Sequence, residues 1–286
     1  MGDVLAGIHA TWEFEPDSVL IRFERGIRTP KLFTALRERR IPHEALESVT
    51  LTQGKRGTVV LHAVPRPGAD PLMEAAAGQL KDGCDPYRLV LPAERETLAE
   101  YYADELRALL APDAAEPSER YVVAAPELPQ SFKAYDGKAS FDGRQVSFRW
   151  FWTGASSAKW KAGDQTFPLA SLCGVEWRSP EAFDGHLRLV RRDAEATAPQ
   201  ADQDPAAVVF GLGYGPVHES LPFAAAVLQA IRGAAGAPVP VAHASPGRRD
   251  PADIAERIRH LSELHQAGLV TDAEFSAKKA ELLAEL

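Results

Sequence analysis

The sequence predicts a mostly β chain with α-helix. It comprises two tandem copies of a small barrel or bent sandwich, each closed by a C-terminal helix, and then an α-helical hairpin. Three observations carry this. The chain repeats itself at an offset of 126–127 residues, apolar positions within each copy recur every second residue before switching to helical spacing, and the composition changes at Asp250.

The repeat is ordered. IPHEALESVTL from Ile41 matches FPLASLCGVEW from Phe167, setting Pro42 on Pro168, Leu46 on Leu172 and Val49 on Val175. Upstream, FEPDSVLIRFERG from Phe14 matches FDGRQVSFRWFWTG from Phe141. Downstream, GTVVLHAV from Gly57 matches GHLRLVRR from Gly185, and DPYRLVL from Asp85 matches DPAAVVF from Asp204. Val19, Ile21 and Phe23 alternate with neighbours, as do Val146, Phe148 and Trp150, Val59 and Leu61, and Leu187 and Leu189. A period of two puts one face of an antiparallel strand against a core.

Each copy ends in a helical stripe: Leu98, Tyr102, Leu106 and Leu109 in the first, and Leu221, Ala224, Leu228 and Ile231 in the second. Pro222 is placed in the first turn of the latter, where its missing N–H costs little. Short strands followed by one closing helix resemble the plan of a pleckstrin-homology-like domain. The resulting division is a first copy at 1–112, a linker at 113–130, a second copy at 131–233, a linker at 234–250 and the hairpin at 251–286. PRPGADPLMEAAAGQLKDG from Pro65 and RRDAEATAPQADQ from Arg191 fall at the same place in each copy and read as long, mobile loops.

In the tail, Ile254, Ile258, Leu261 and Leu264 give a helical face, and Gly268 supplies a C′ stop. Thr271 and Glu274 form a capping box for a second helix faced by Phe275, Leu282 and Leu283. A hairpin this small does not bury enough surface to stand alone, so it calls for a protein partner or self-association. The run from Ile258 through A-G-L-V-T-D-x-E-F-x-x-K-K-x-x-L-L closely resembles the short C-terminal (SHOCT) domain of bacterial proteins. The two copies resemble a bacterial domain-of-unknown-function family with a PH-like fold, often found as a tandem pair before such a tail. The resemblance implies no catalytic residues, and an adaptor or oligomerisation role for the tail.

Composition narrows the function classes. The 286 residues are 45% hydrophobic and 25% charged with net charge −8, an ordinary globular balance that disfavours nucleic acid as a partner. No apolar run approaches a membrane span, and MGDVLAGIHATWEFE lacks the regions of a signal peptide, so a cytoplasmic protein is expected. Cys84, in a loop, and Cys173, in a strand-like run, form no CxxC pair and read as incidental thiols. No HExxH or HxH occurs, and the spacing of His260 and His265 sets them about 140° apart on a helix, so neither metal nor cofactor is expected. GLGYG from Gly211 lacks the third glycine spacing and the Lys-Ser/Thr of a phosphate loop and reads as a strand-to-helix turn. Without a GxSxG, SxxK or Cys–His arrangement, no enzyme is predicted.

One segment stands apart. RGIRTPKLFTALRERR holds Arg25, Arg28, Lys31, Arg37, Arg39 and Arg40 against the single acid Glu38. The second copy offers aromatics there, Trp150, Phe151, Trp152 and Trp160, between Lys159 and Lys161. The leading expectation is a non-enzymatic scaffold or adaptor whose PH-like domains are binding surfaces and whose tail assembles or recruits. The alternative is a peripheral binder of anionic membrane lipids or phosphorylated ligands through the Arg25–Arg40 loop, at the inner face of the membrane.

Overall fold

The computed structural model describes residues 3–127, 130–193 and 199–235, together with Ser276. The first copy opens with β1 (Asp3–Ala6), β2 (Ala10–Phe14) and β3 (Ser18–Phe23), then α1 (Lys31–Leu36) and β4 (Glu38–Pro42). These strands make an antiparallel sheet in the order β1-β2-β3-β4. A second antiparallel sheet follows, of β5 (Leu46–Gln53), β6 (Thr58–Pro65) and β7 (Arg88–Pro92), with α2 (Pro71–Ala76) between the last two and α3 (Glu96–Ala108) after them.

The second copy retraces this path. β8 (Gln130–Lys133), β9 (Gly137–Phe141), β10 (Gln145–Trp150), α4 (Ser157–Ala162) and β11 (Gln165–Pro168) lead to β12 (Leu172–Arg178), β13 (His186–Arg191), β14 (Ala207–Val209) and α5 (Val217–Ala235). The sheets again have four and three strands.

The repeat extends to irregularities. A β-bulge falls between Leu46 and Ser48 in one copy and between Leu172 and Gly174 in the other. The hairpin turn closed by Gly7 N–H on the Ala10 carbonyl (2.9 Å) returns as Ala134 N–H on Gly137 (2.7 Å). Asp85 accepts the Tyr87 N–H and Asp204 the Ala206 N–H, at 2.9 and 2.8 Å, which is the turn the DP dipeptides encode.

The alternating residues lie in the core: Val19, Ile21, Val59 and Leu61 in the first copy, and Val146, Phe148, Leu187 and Leu189 in the second. Two details of the helices differ from the sequence reading. In α3 the buried positions are Ala99, Tyr102, Ala103 and Leu106, whereas Leu98 and Leu109 are about half exposed. Pro222 lies inside α5, beyond the first turn.

The largest correction concerns the insertion from Pro65, which is built rather than mobile. Asp70 caps α2 by accepting the Leu72 N–H at 2.8 Å, Pro71 follows at the helix start, and Ala77 ends it in the left-handed region at φ 46°. Helix α2 packs on α5, so Leu32, Leu72, Ala75 and Ala76 of the first copy share a hydrophobic cluster with Leu221, Phe223, Ala224 and Val227 of the second. Helix α5 is buried almost all round from Ser220 to Leu228 because it is packed by both copies.

Polar bonds reinforce the joint. Gln79 donates to the Trp177 carbonyl (3.0 Å) and accepts from Ser179 N–H (2.9 Å), while Arg232 donates to the Gly68 carbonyl (3.0 Å) and stacks over Tyr121. Both copies therefore belong to one compact unit, Met1–Ala237. The hairpin assigned to 251–286, with its face of Ile254, Ile258, Leu261, Leu264, Phe275, Leu282 and Leu283, lies outside the described residues but for Ser276. Among the described residues, no helix is long and apolar enough to cross a membrane.

Candidate functional site

Strand geometry divides the six cations. Arg25 and Arg28 stand exposed in the β3–α1 loop, Lys31 begins α1, and Arg37 caps its end, exposed at φ 60°. In β4 the side chains alternate, so Arg39 points inward with Ile41 while Arg40 points out. Arg39 is thereby corrected: it is not a surface cation. Its Nη2 donates to Asp70 Oδ1 (2.8 Å) and its Nε to the Tyr87 hydroxyl (3.1 Å), and that hydroxyl donates to Asp70 Oδ2.

Burial works against the guanidinium, yet Asp70 and Tyr87 together hold its pKa above the ordinary value. The Tyr87 hydroxyl is pushed well up, by burial first and then by Asp70. Arg40 pairs with Glu15 and donates to Ser18 Oγ (3.0 Å). The exposed set is completed by Ile27, which is 106% exposed between Arg25 and Arg28.

The aromatic set divides in the same way. Trp150 belongs to the core, 5% exposed, and donates from Nε1 to the Gly163 carbonyl at 2.7 Å, so it is no surface residue. Phe151 is half-buried. Trp152 and Trp160 are partly exposed and meet edge to face at 4.8 Å. The fold adds two residues that sequence spacing did not link, Tyr135 and Tyr214, exposed and edge to face at 6.2 Å.

These loops converge on Asp136 in the β8–β9 turn. Its Oδ2 accepts from buried Lys159 Nζ (2.5 Å), its Oδ1 from Val209 N–H (2.9 Å), and its carbonyl from Phe151 N–H (2.9 Å). Gly154 permits the approach, since a Cβ there would lie 2.2 Å from the Tyr135 carbonyl. Lys31 lies close enough to His218, near the start of α5, to help burial lower the imidazole pKa. Helix α1, which follows the basic loop of the first copy, packs on α5 of the second.

A further concavity escaped sequence reasoning, because its residues come from both ends of the first copy. Between α3 and the β2–β3 turn lies a groove of about 460 Å³. Phe14 and Tyr102 stack face to face at 4.1 Å as its floor, Tyr101 and Leu109 stand exposed on one wall, and Asp3, Glu15 and Glu105 contribute carboxylates.

The thiols are accessible to different degrees. Cys173 is exposed on β12, whereas Cys84 is half-buried and its pKa is pushed up, by burial first and then by Glu181. A maleimide at neutral pH is expected to label Cys173 before Cys84, with peptide mapping over time as the check.

The fold and its surfaces define a tandem of two β-rich units in which each last strand is followed by a helix. Residues 12–107 and 139–228 both match the family described as a domain of unknown function (DUF4429), and residues 256–283 match the short C-terminal domain (SHOCT). The chain belongs to the DUF4429 family, with two copies in tandem and a short C-terminal domain after them. Comparison with curated proteins gives no match.

Proposed function

We propose that the chain is a non-enzymatic cytoplasmic scaffold or adaptor, in which a rigid tandem of PH-like domains presents binding loops and the C-terminal hairpin assembles or recruits. The observation that carries this is the shared core of α5 and α2, which joins the two copies so that the loops of both keep a constant relation. Four strands, three strands and a following helix in each copy support the PH-like reading. The buried Arg39–Asp70–Tyr87 and Lys159–Asp136 groups act as braces, being closed to any substrate. The test is the solution mass of the full chain beside one ending at Arg249. An oligomer that becomes a monomer on truncation supports an assembling tail, and the same oligomeric state for both chains refutes it.

A second reading, binding of anionic lipid or a phosphorylated ligand, is favoured by the exposure of Ile27 among Arg25, Arg28, Lys31 and Arg37. Each cation near an anionic surface contributes about 1 kcal/mol. Reversing Arg25 and Arg28 to Glu is then expected to weaken flotation with anionic vesicles by about tenfold or more, and raised salt to do the same. Flotation indifferent to both removes this reading.

A further inference from the structure

We infer that the groove of the first copy receives the Gly26–Thr29 turn of a second copy of the chain, so that molecules associate through these two patches. This rests on the scaffold reading and adds an interface apart from the hairpin. The turn is preformed: Thr29 N–H bonds the Gly26 carbonyl at 3.1 Å, and buried Thr29 reaches His9 Nδ1 at 3.4 Å. Ile27 and Arg28 occupy its corners, with Ile27 wholly in solvent. A rigid projecting turn loses little conformational freedom on binding.

The groove is its complement. The Phe14–Tyr102 stack and Leu106 give an apolar floor, and Tyr101 and Leu109 leave exposed apolar surface at the wall. Glu15 is shared with Arg40 and Asp104 with Arg107, but Asp3 and Glu105 add negative charge, and Glu100 flanks them on α3. Burial lowers the pKa of His43, so the imidazole does not offset these acids at neutral pH. Around the turn, Arg25, Arg28, Lys31 and Arg37 outnumber Glu24 and Glu38. An acidic groove repels an anionic membrane and attracts this loop.

The topology excludes contact within one molecule. The groove includes Glu15 and Pro16 just before β3, and the turn follows β3 at its other end. Six strand residues separate them by roughly 20 Å. Turn and groove are therefore different patches of one copy, so their pairing joins separate molecules, either reciprocally about a two-fold axis or in succession around a ring or along an open chain.

The test uses the full chain in sedimentation at low and high salt. The expected result is a mean mass above that of the monomer that rises with concentration at low salt and falls as salt is added. Ile27→Glu and Glu105→Lys, both at exposed positions, are each expected to weaken this association by about tenfold or more. The double variant Arg28→Glu/Glu105→Arg is expected to regain it. In mixing, fluorescently labelled Ile27→Glu chain, whose groove is intact, should show raised anisotropy with unlabelled Glu105→Lys chain but not with unlabelled Ile27→Glu chain.

A mass that stays that of the monomer at every concentration at low salt overturns the inference. So does growth that both single variants leave intact, which assigns assembly to the hairpin and leaves the scaffold reading standing. Flotation with anionic vesicles by a chain that does not self-associate also overturns it and gives the loop to a membrane.

Discussion

Replacing Asp70 with alanine is expected to destabilise the tandem by about 3–5 kcal/mol, because it leaves a buried guanidinium without its counter-charge. Asp70 accepts from Arg39, Tyr87 and the Leu72 N–H at once, so the change also removes the cap of α2. Helix α2 carries Leu72, Ala75 and Ala76 into the cluster shared with α5, so the loss spreads to the second copy. Urea unfolding monitored by tryptophan fluorescence is the measurement, with a lowered midpoint for both copies as the expected result. The triple variant Arg39→Met/Asp70→Leu/Tyr87→Phe removes all three polar partners and is expected to be far less damaging than Asp70→Ala. Equal damage from both would mean that capping and packing, not the orphaned cation, set the cost.

The repeat and the two-residue spacing were legible because half-buried strands must alternate, and turn dipeptides such as Asp85–Pro86 specify local geometry. The placement of Arg39 was also written in that alternation: it shares the face of Ile41, two residues on. Clustering the six cations by proximity in sequence concealed this. The α2 insertion carried a helix start in Asp70–Pro71 but hid in a glycine- and proline-rich setting. What no local pattern could supply was a partner for α5. Its apolar residues exceed one stripe, and only the docking of α2 and α1 explains why. The aromatic surface followed the same logic. Trp150 is consumed by the core as an alternating strand residue, while Tyr135 and Tyr214 meet only through turns that are distant in sequence.

This division bears on function. The two copies are unequal in what they expose: the first presents cations about Ile27 and an acidic groove, and the second presents edge-to-face aromatic pairs. Duplication with different loops on a repeated frame leaves one compact unit with different surfaces, and this inequality is what the adaptor reading proposed above draws on. The buried ionic groups tie parts of this frame together: Lys159 bonds Asp136 in the β8–β9 turn, and Arg39 bonds Asp70 at the start of α2.

Lys159 is the clearest instance of such a brace and gives the second large effect. Lys159→Met is expected to cost about 3–5 kcal/mol at neutral pH, because Asp136 remains buried as an unpaired carboxylate. Burial already pushes the Asp136 carboxyl up against the pull of Lys159, and pushes the Lys159 ammonium down against the pull of Asp136. With Lys159 gone, the folded-state pKa of Asp136 rises further above its unfolded value. Stability of the variant then falls as pH rises from the unfolded pKa toward the folded one, and it recovers on acidification as the carboxyl takes up a proton. Adding Asp136→Asn removes the charge and keeps an oxygen for the Val209 N–H, so the double variant should lie within about 1 kcal/mol of the parent or above it. Its stability should also be flatter with pH than that of Lys159→Met. Urea midpoints between pH 4.5 and 8 decide the matter. A Lys159→Met deficit that is the same at every pH, with no rescue by Asp136→Asn, would show that the loss comes from the ammonium's contact with the Trp150 ring, 4.9 Å from its centroid, rather than from an unpaired Asp136.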